Sequence, residues 1–376
     1  MKKARFFLVT LIFITLILPV GVFSAELELS SLSACLMEPV TGKVLYEKNA
    51  DEKLEPASVT KIMSLILVFE AMDEGKFDMN TEVSASEHAS SMGGSQIWLE
   101  PGETMTVNEM LKAVVVASAN DCTVAFAELV SGSEESFVEK MNEKAKTLGM
   151  INTHFINCTG LPAENHYTTA RDIAIMTREL NKHAEVYDYT RIWMDTLRNG
   201  EFGITNTNKL IRFYNGATGM KTGYTSSALY CMSATAQRGN MNLIAAVMKS
   251  ESSDKRFADA KKLLDYGFAN YEYYEPQIQK PEKVRVLGGK KEYLECEAEQ
   301  RGMLIQKGQS EKISYEIKMD EQIKAPVVKN QKVGSVLYFC DGNKIAEFDI
   351  VAAADVEKLT FRDLIVKYLH NCITVR

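Results

Sequence analysis

Three short groups of polar residues follow one another along the chain: Ser58-Val59-Thr60-Lys61, Ser118-Ala119-Asn120 and Lys221-Thr222-Gly223. Ser58 and Lys61 are three residues apart, so a helix carries both side chains on one face, one turn separated. Val59, Ile62 and Leu65 flank the lysine, and desolvation lowers an ammonium pKa toward that of a usable base. A serine at a helix N-terminus also meets free N–H groups that favour developing negative charge. The chemistry open to such a set is acyl transfer through a serine ester.

Ser-x-x-Lys alone is a short pattern, and a second copy runs from Ser252 to Lys255. That copy lies in a charged stretch and opens no buried apolar helix, so a solvated face accounts for it. A serine near a helix start is also an ordinary cap. Ser58 stands apart because Ser-x-Asn and Lys-Thr-Gly follow it in order, each in a suitable helix, loop or strand context. The five histidines, His88, His154, His166, His183 and His370, are scattered without ligand spacing, and no Gly-x-Ser-x-Gly elbow is present. The seven cysteines are odd in number and form no Cys-x-x-Cys pair, which is neither a disulfide framework nor a zinc set. No metal or organic cofactor is called for.

The elements that must hold these residues can be read from periodicity and turn signals. Residues 34–46 read as a hairpin turning at Pro39-Val40-Thr41-Gly42, and 59–72 as a strongly apolar helix. Residues 86–104 read as loop. A second helical region, 107–130, breaks at residues 118–121, and amphipathic helices follow over 134–148 and 169–182. Strands are expected at 220–223, 228–237 and 243–248, then a helix over 253–271. From Glu275-Pro276 the pattern changes to short β-rich segments at 283–287, 313–317, 334–339 and 345–351, with turns at Gly288-Gly289 and Asp341-Gly342. A small β-sandwich is expected there. Phe361, Leu364, Ile365, Tyr368, Leu369 and Cys372 then fall on one face of a terminal helix, with basic residues mainly on the others. Such a helix either lies in a membrane interface or docks on its own domain.

At the other end, Lys2, Lys3 and Arg5 precede an apolar run to about Phe23, the pattern of a secretory signal over 1–24 with cleavage after Ser24. An uncleaved anchor is the alternative. Leu32-Ser33-Ala34-Cys35 imitates a lipidation site, but Glu26 and Glu28 separate it from the apolar core. The 376 residues fit two domains, 46% of them hydrophobic and 25% charged. A net charge of -7 lacks the basic footprint of a nucleic-acid binder.

Beyond the ordered trio, the segments Glu55-Pro56-Ala57-Ser58, 117–122, 149–161, 167–172, 219–225 and 256–267 make the chain resemble the low-molecular-mass penicillin-binding proteins that act as D-alanyl-D-alanine carboxypeptidases. The resemblance runs from about Cys35 to Val351. It implies an α/β domain of the serine β-lactamase and penicillin-binding transpeptidase type over 30–272, an antiparallel sheet flanked by helices. A β-rich domain over 276–354 and an amphipathic helix over 355–376 would follow. It implies that Ser58 attacks the carbonyl between the two terminal D-alanines of a peptidoglycan stem pentapeptide, that Lys61 takes the hydroxyl proton directly or by a relay, and that Ser118 passes it to the leaving amine near Lys221. Asn120 would bind the substrate amide and hold Lys61. Thr222, with Lys221, would take the terminal carboxylate, Gly223 would let the peptide lie along the strand, and the amides of Ser58 and Tyr224 would form the oxyanion hole. β-Lactam antibiotics would acylate the same serine, and the outer face of the cytoplasmic membrane is a further contact.

Three other readings remain open. A β-lactamase would need a deacylating glutamate, yet residues 150–170 hold only Glu164 followed at once by Asn165, not Glu-x-x-x-Asn. A silent wall-binding module would not need Ser58, Lys61, Ser118 and Lys221 intact. An endopeptidase acting on cross-links would use the same residues.

Overall fold

A computed structural model describes residues 27–277, 280–299 and 302–366. The signal expected at 1–24, and Lys367, Tyr368, Leu369, His370, Cys372 and Arg376 of the terminal pattern, lie outside the described residues.

Five antiparallel strands form the central sheet, in the spatial order Val44–Lys48, Ser33–Met37, Met241–Ser250, Leu229–Arg238, Ala217–Thr225. Every residue of Ser33–Met37 is buried, because the sheet is covered on both faces. Its side chains alternate between two cores. Cys35 and Met37 join the cluster that contains the helix Lys61–Asp73, whereas Ala34 and Leu36 pack with Phe257, Leu263 and Leu264 of the helix Ser253–Asn270. Lys61–Asp73 is apolar nearly all round, with ten of its thirteen residues buried, the pattern of a helix enclosed by its neighbours. Asn120–Ser131 and Ala170–Leu180 surround it.

The break expected at residues 118–121 is real and has a specific form. After Val107–Lys112 the chain widens into a π-helical turn over Ala113–Ala117 and stops at Ser118, which is left-handed at φ 65°. A new helix starts at Asn120. Residues 86–104 are not all loop: Ser86 caps a helical turn at Glu87–Ser90, and Thr104–Thr106 pairs with Glu82–Ser84.

Beyond Asn270 the strand Tyr271–Tyr274 leaves the last helix and pairs with Met303–Gln306. A three-stranded sheet (Tyr293–Leu294, Val284–Leu287, Gln322–Lys324) and a four-stranded one (Cys296–Ala298, Asn343–Ala352, Lys332–Cys340, Ile313–Met319) enclose a third core of Val284, Val286, Val333, Val336, Tyr338 and Ile350. Tyr273 donates its hydroxyl to the buried carboxylate of Glu38, tying the two modules together. After the bridge of Lys358 to Gly289 the chain turns helical at residues 361–366, with Phe361, Leu364, Ile365 and Val366 exposed. No described helix is long and apolar enough to cross a membrane.

Candidate active site

Ser58 does not open the α-helix itself. It lies in a 3-10 turn, Ala57–Thr60, that runs directly into Lys61–Asp73. With three residues per turn, positions i and i+3 eclipse, which sets Ser58 Oγ 3.0 Å from Lys61 Nζ. Ala57 holds a left-handed φ of 49°, a cost of about 1–3 kcal/mol that surrounding contacts must sustain. Gly160 presses on that turn from behind. A Cβ there would stand 1.9 Å from Ala57 O, at a φ of 85°, so only glycine fits. His166 supports the same turn: its Nδ1 accepts from Ile156 N, which leaves Nε2–H to donate to Thr60 Oγ1 at 2.9 Å. Burial lowers its pKa to about 4, so it stays neutral.

Lys61 is completely buried. Its Nζ donates to Asn120 Oδ1 at 2.5 Å and to Thr159 O at 2.9 Å. Loss of water pulls its pKa down to about 7, against a smaller upward pull from Cys158 and Asp121. At neutral pH a large share of the amine is uncharged, with two N–H bonds committed to carbonyl oxygens and its lone pair left for the Ser58 hydroxyl.

Asn120 is clamped in turn. Its Nδ2 donates to Gly93 O and its backbone N–H to Ser95 O, both at 2.7 Å. Ser118 Oγ is buried and makes no hydrogen bond to another described protein group, an unspent donor and acceptor at the wall of the cleft.

The strand Ala217–Thr225 has one sheet neighbour and forms the sheet's edge beside the 3-10 turn. Gly223 faces that turn: a Cβ would lie 2.7 Å from Pro56 O and 3.0 Å from Ser58 N. Lys221 is buried, and its pKa is lowered by desolvation first and by the charges of Lys61 and Arg256 after that. Thr222 Oγ1 donates to Thr207 Oγ1 at 2.7 Å. Arg256 passes under the strand and donates to Gly223 O at 3.0 Å and Cys231 O at 3.2 Å. Burial lowers its pKa to about 10, which keeps it charged at neutral pH. Ser58, Ser95, Ser118, Thr207, Thr222, Gly223, Tyr224 and Arg256 line one cleft of about 230 Å³.

The structure thus gathers Ser58, Ser118, Thr222, Gly223 and Tyr224 at one cleft, and Lys61 and Asn120 join them through hydrogen bonds. Sequence reasoning missed Thr207, Arg256, Ser95 and the Thr159 carbonyl. Arg256 opens the segment 256–267 that carries the family resemblance, but nothing in that segment marks it as a group of the site. A backbone carbonyl such as that of Thr159 has none. The six described cysteines are free and buried. Cys35, in the lipidation-like tetrapeptide, is sealed in the strand Ser33–Met37, with its thiol pushed up to about 12 by burial.

A helix-flanked antiparallel sheet carrying a Ser-Lys pair, followed by a β-rich module, defines a penicillin-binding, transpeptidase-like hydrolase. Residues 21–252 match the family model described as D-alanyl-D-alanine carboxypeptidase, and residues 271–358 match that of the penicillin-binding protein 5 C-terminal domain. The chain belongs to the D-alanyl-D-alanine carboxypeptidase family. It is 47% identical over 348 residues to the D-alanyl-D-alanine carboxypeptidase DacF of Bacillus subtilis (strain 168), covering 91% of this chain and 90% of that one. Among solved structures it is similar to penicillin binding protein 5 from Haemophilus influenzae, with a TM-score of 0.78, 31% identity, and coverage of 88% and 99%. It is also similar to penicillin-binding protein D2 from Listeria monocytogenes in its ampicillin-bound form, with a TM-score of 0.59, 30% identity, and coverage of 65% and 99%.

Proposed function

We propose that the chain is exported and removes the terminal D-alanine of peptidoglycan stem pentapeptides through an acyl-enzyme on Ser58, limiting cross-linking as the wall is built. One observation carries the reading: a fully buried lysine, its pKa near 7, touching the serine hydroxyl. Ser58 Oγ attacks the carbonyl of the penultimate D-alanine while its proton moves to Lys61 Nζ. The amides of Ser58 and Tyr224 take the oxyanion, and Gly223 supports this by leaving the Ser58 amide uncovered. As the C–N bond breaks, Ser118 protonates the departing amine and is recharged from the Lys61 side. Water then cleaves the ester.

The peptide adds along the free edge at residues 221–225. Its terminal carboxylate meets Thr222 and Thr207, with the positive charge of Arg256 beneath. Asn120 has one amide N–H committed to Gly93 O, so it acts chiefly by holding Lys61. The same serine takes β-lactams, a reading supported by the ampicillin-bound Listeria relative. The exposed apolar residues at 361–366 support a terminal helix resting on the outer face of the cytoplasmic membrane. The domain limits proposed remain 30–272 for the catalytic part and 276–354 for the β-rich part.

The test is release of free D-alanine from a pentapeptide ending in D-Ala-D-Ala. The wild type releases it and Ser58→Ala does not; release by Ser58→Ala at the wild-type rate would contradict the assignment.

A further inference from the structure

Beside the cleft stands an exposed tryptophan that the acyl-transfer chemistry does not use. Trp98 is 63% exposed, although a bare indole in water forfeits the burial such a ring ordinarily gains. Its backbone is left-handed at φ 55°, a strained conformation for a bulky residue that persists only where its surroundings impose it. The surroundings do impose it. Asp121 Oδ2 accepts from Ile97 N at 3.0 Å and Leu99 N at 3.1 Å, one amide on each side of Trp98. Arg198 donates to Ile97 O at 2.9 Å and Trp98 O at 3.3 Å while paired with Glu103. The ring is oriented as well: Phe202 meets it edge to face at 5.8 Å. With the Gln96 amide turned to satisfy both its ends, Gln96 accepts from Trp98 Nε1 at 3.1 Å and donates to Met92 O. These polar contacts and the one ring contact thus display an indole to solvent.

The display is registered to the active site. Asp121 directly follows Asn120, and Asn120 N donates to Ser95 O, three residues before Trp98. Ser95 lines the cleft, and three residues reach at most about 11 Å. A stem peptide lying in the cleft runs back four residues from its scissile bond, about 14 Å when extended, and ends on a sugar. The hollow at Trp98, about 400 Å³, is lined by Glu87, Ser90, Ser91, Gln96 and Glu100. Hydroxyl, amide and carboxylate groups around one flat apolar ring match a pyranose, which has a C–H face and a rim of hydroxyls.

We propose that Trp98 is a saccharide platform, stacking on a pyranose of the glycan that carries the stem peptide while the groups around it bind the sugar hydroxyls. The proposal rests on the carboxypeptidase reading and adds a specificity-determining residue to it. Glycan-borne stems are thereby processed in preference to free peptide, and the preference resides in KM.

The experiment compares kcat/KM for a pentapeptide bearing an amino-sugar disaccharide at its N-terminus with that for the same pentapeptide capped by acetyl. Trp98→Leu is expected to lose about 5- to 20-fold on the glycopeptide through KM and stay within about twofold on the capped peptide. Trp98→Phe is expected to keep most of the preference. Equal losses on both substrates, or no loss on either, would overturn the proposal. A second measurement does not depend on turnover. In Trp193→Phe, Trp98 is the one tryptophan left of two, and titration with a sugar chain lacking stem peptides should change its fluorescence saturably. A flat titration would also overturn the platform. If the wild type released D-alanine from neither substrate, the carboxypeptidase reading would fall, while the titration would still decide the role of Trp98.

Discussion

The chain holds the same tetrapeptide pattern twice, and the two copies ended up in opposite environments. At Ser252–Lys255 the serine caps the helix Ser253–Asn270, its Oγ accepting from Lys255 N at 3.2 Å, and that helix does bury an apolar face, contrary to the expectation from its charged start. The Lys255 ammonium points into water and pairs with Glu251, with both side chains more than half exposed. At Ser58–Lys61 the serine sits in a 3-10 turn, and the lysine is walled in by the core with carbonyl oxygens for partners. Spacing is identical, so spacing is not what makes a nucleophile. The difference is water. Burial strips it from the Lys61 ammonium and lowers that pKa to about 7.

The largest effect expected from this contrast is on acylation. Ser58→Ala should reduce the rate of covalent labelling by penicillin by at least about 10⁴-fold, whereas Ser252→Ala should leave it within about twofold. Comparable losses from both would erase the distinction drawn between the copies. Next is the turn that holds Ser58. Gly160→Ala puts a methyl against Ala57 O at a left-handed φ, and should cost about 2–4 kcal/mol of stability and about 10²-fold in acylation. Thermal melts and labelling rates read both, and a variant with wild-type values would show that the turn is not braced there.

The pH profile is a finer probe. The Lys61 pKa is lowered in the folded protein, so the neutral base is present above about 7 and lost below it. Acylation should therefore fall about tenfold per unit below pH 7 and level off above. A flat profile from pH 5 to 9 would remove Lys61 as the base. Ser252→Ala should then cost about 1 kcal/mol through the lost cap, without any change in that profile. Smallest of all, Lys255→Ala should leave both the melt and the profile unaltered, because an exposed i,i+4 ion pair contributes little.

Much of this arrangement was visible from the residues. The three groups, their order, the apolar helix behind Lys61 and the interruption at 118–121 all leave side-chain signatures, and Ser58, Ser118, Thr222 and Gly223 of those groups line one cleft. What was hidden is what leaves no such mark. The π-helical turn at Ala113–Ala117 is a stretch of Ala and Val that reads as ordinary helix. Thr159 contributes a carbonyl, and Thr207 comes from the stretch between the helix at 169–182 and the strand at 220–223, for which no element or motif is expected. Arg256 became part of the site because the helix Ser253–Asn270 packs on the strands Met241–Ser250 and Leu229–Arg238, from where its side chain reaches Gly223 O, a long-range packing event that no local period encodes. Asp121 falls within the interruption at 118–121, yet its bonds to Ile97 and Leu99 depend on a chain segment more than twenty residues away.

The most direct measurement for the claim that burial of Lys61 makes Ser58 the nucleophile is intact-mass spectrometry of the protein incubated with benzylpenicillin across pH 5 to 9, with peptide mapping of the adduct. One adduct per chain is expected, located on Ser58 and forming at a rate whose midpoint lies near pH 7. An adduct on Ser252, or one on Ser58 whose rate ignores pH across that range, would contradict it.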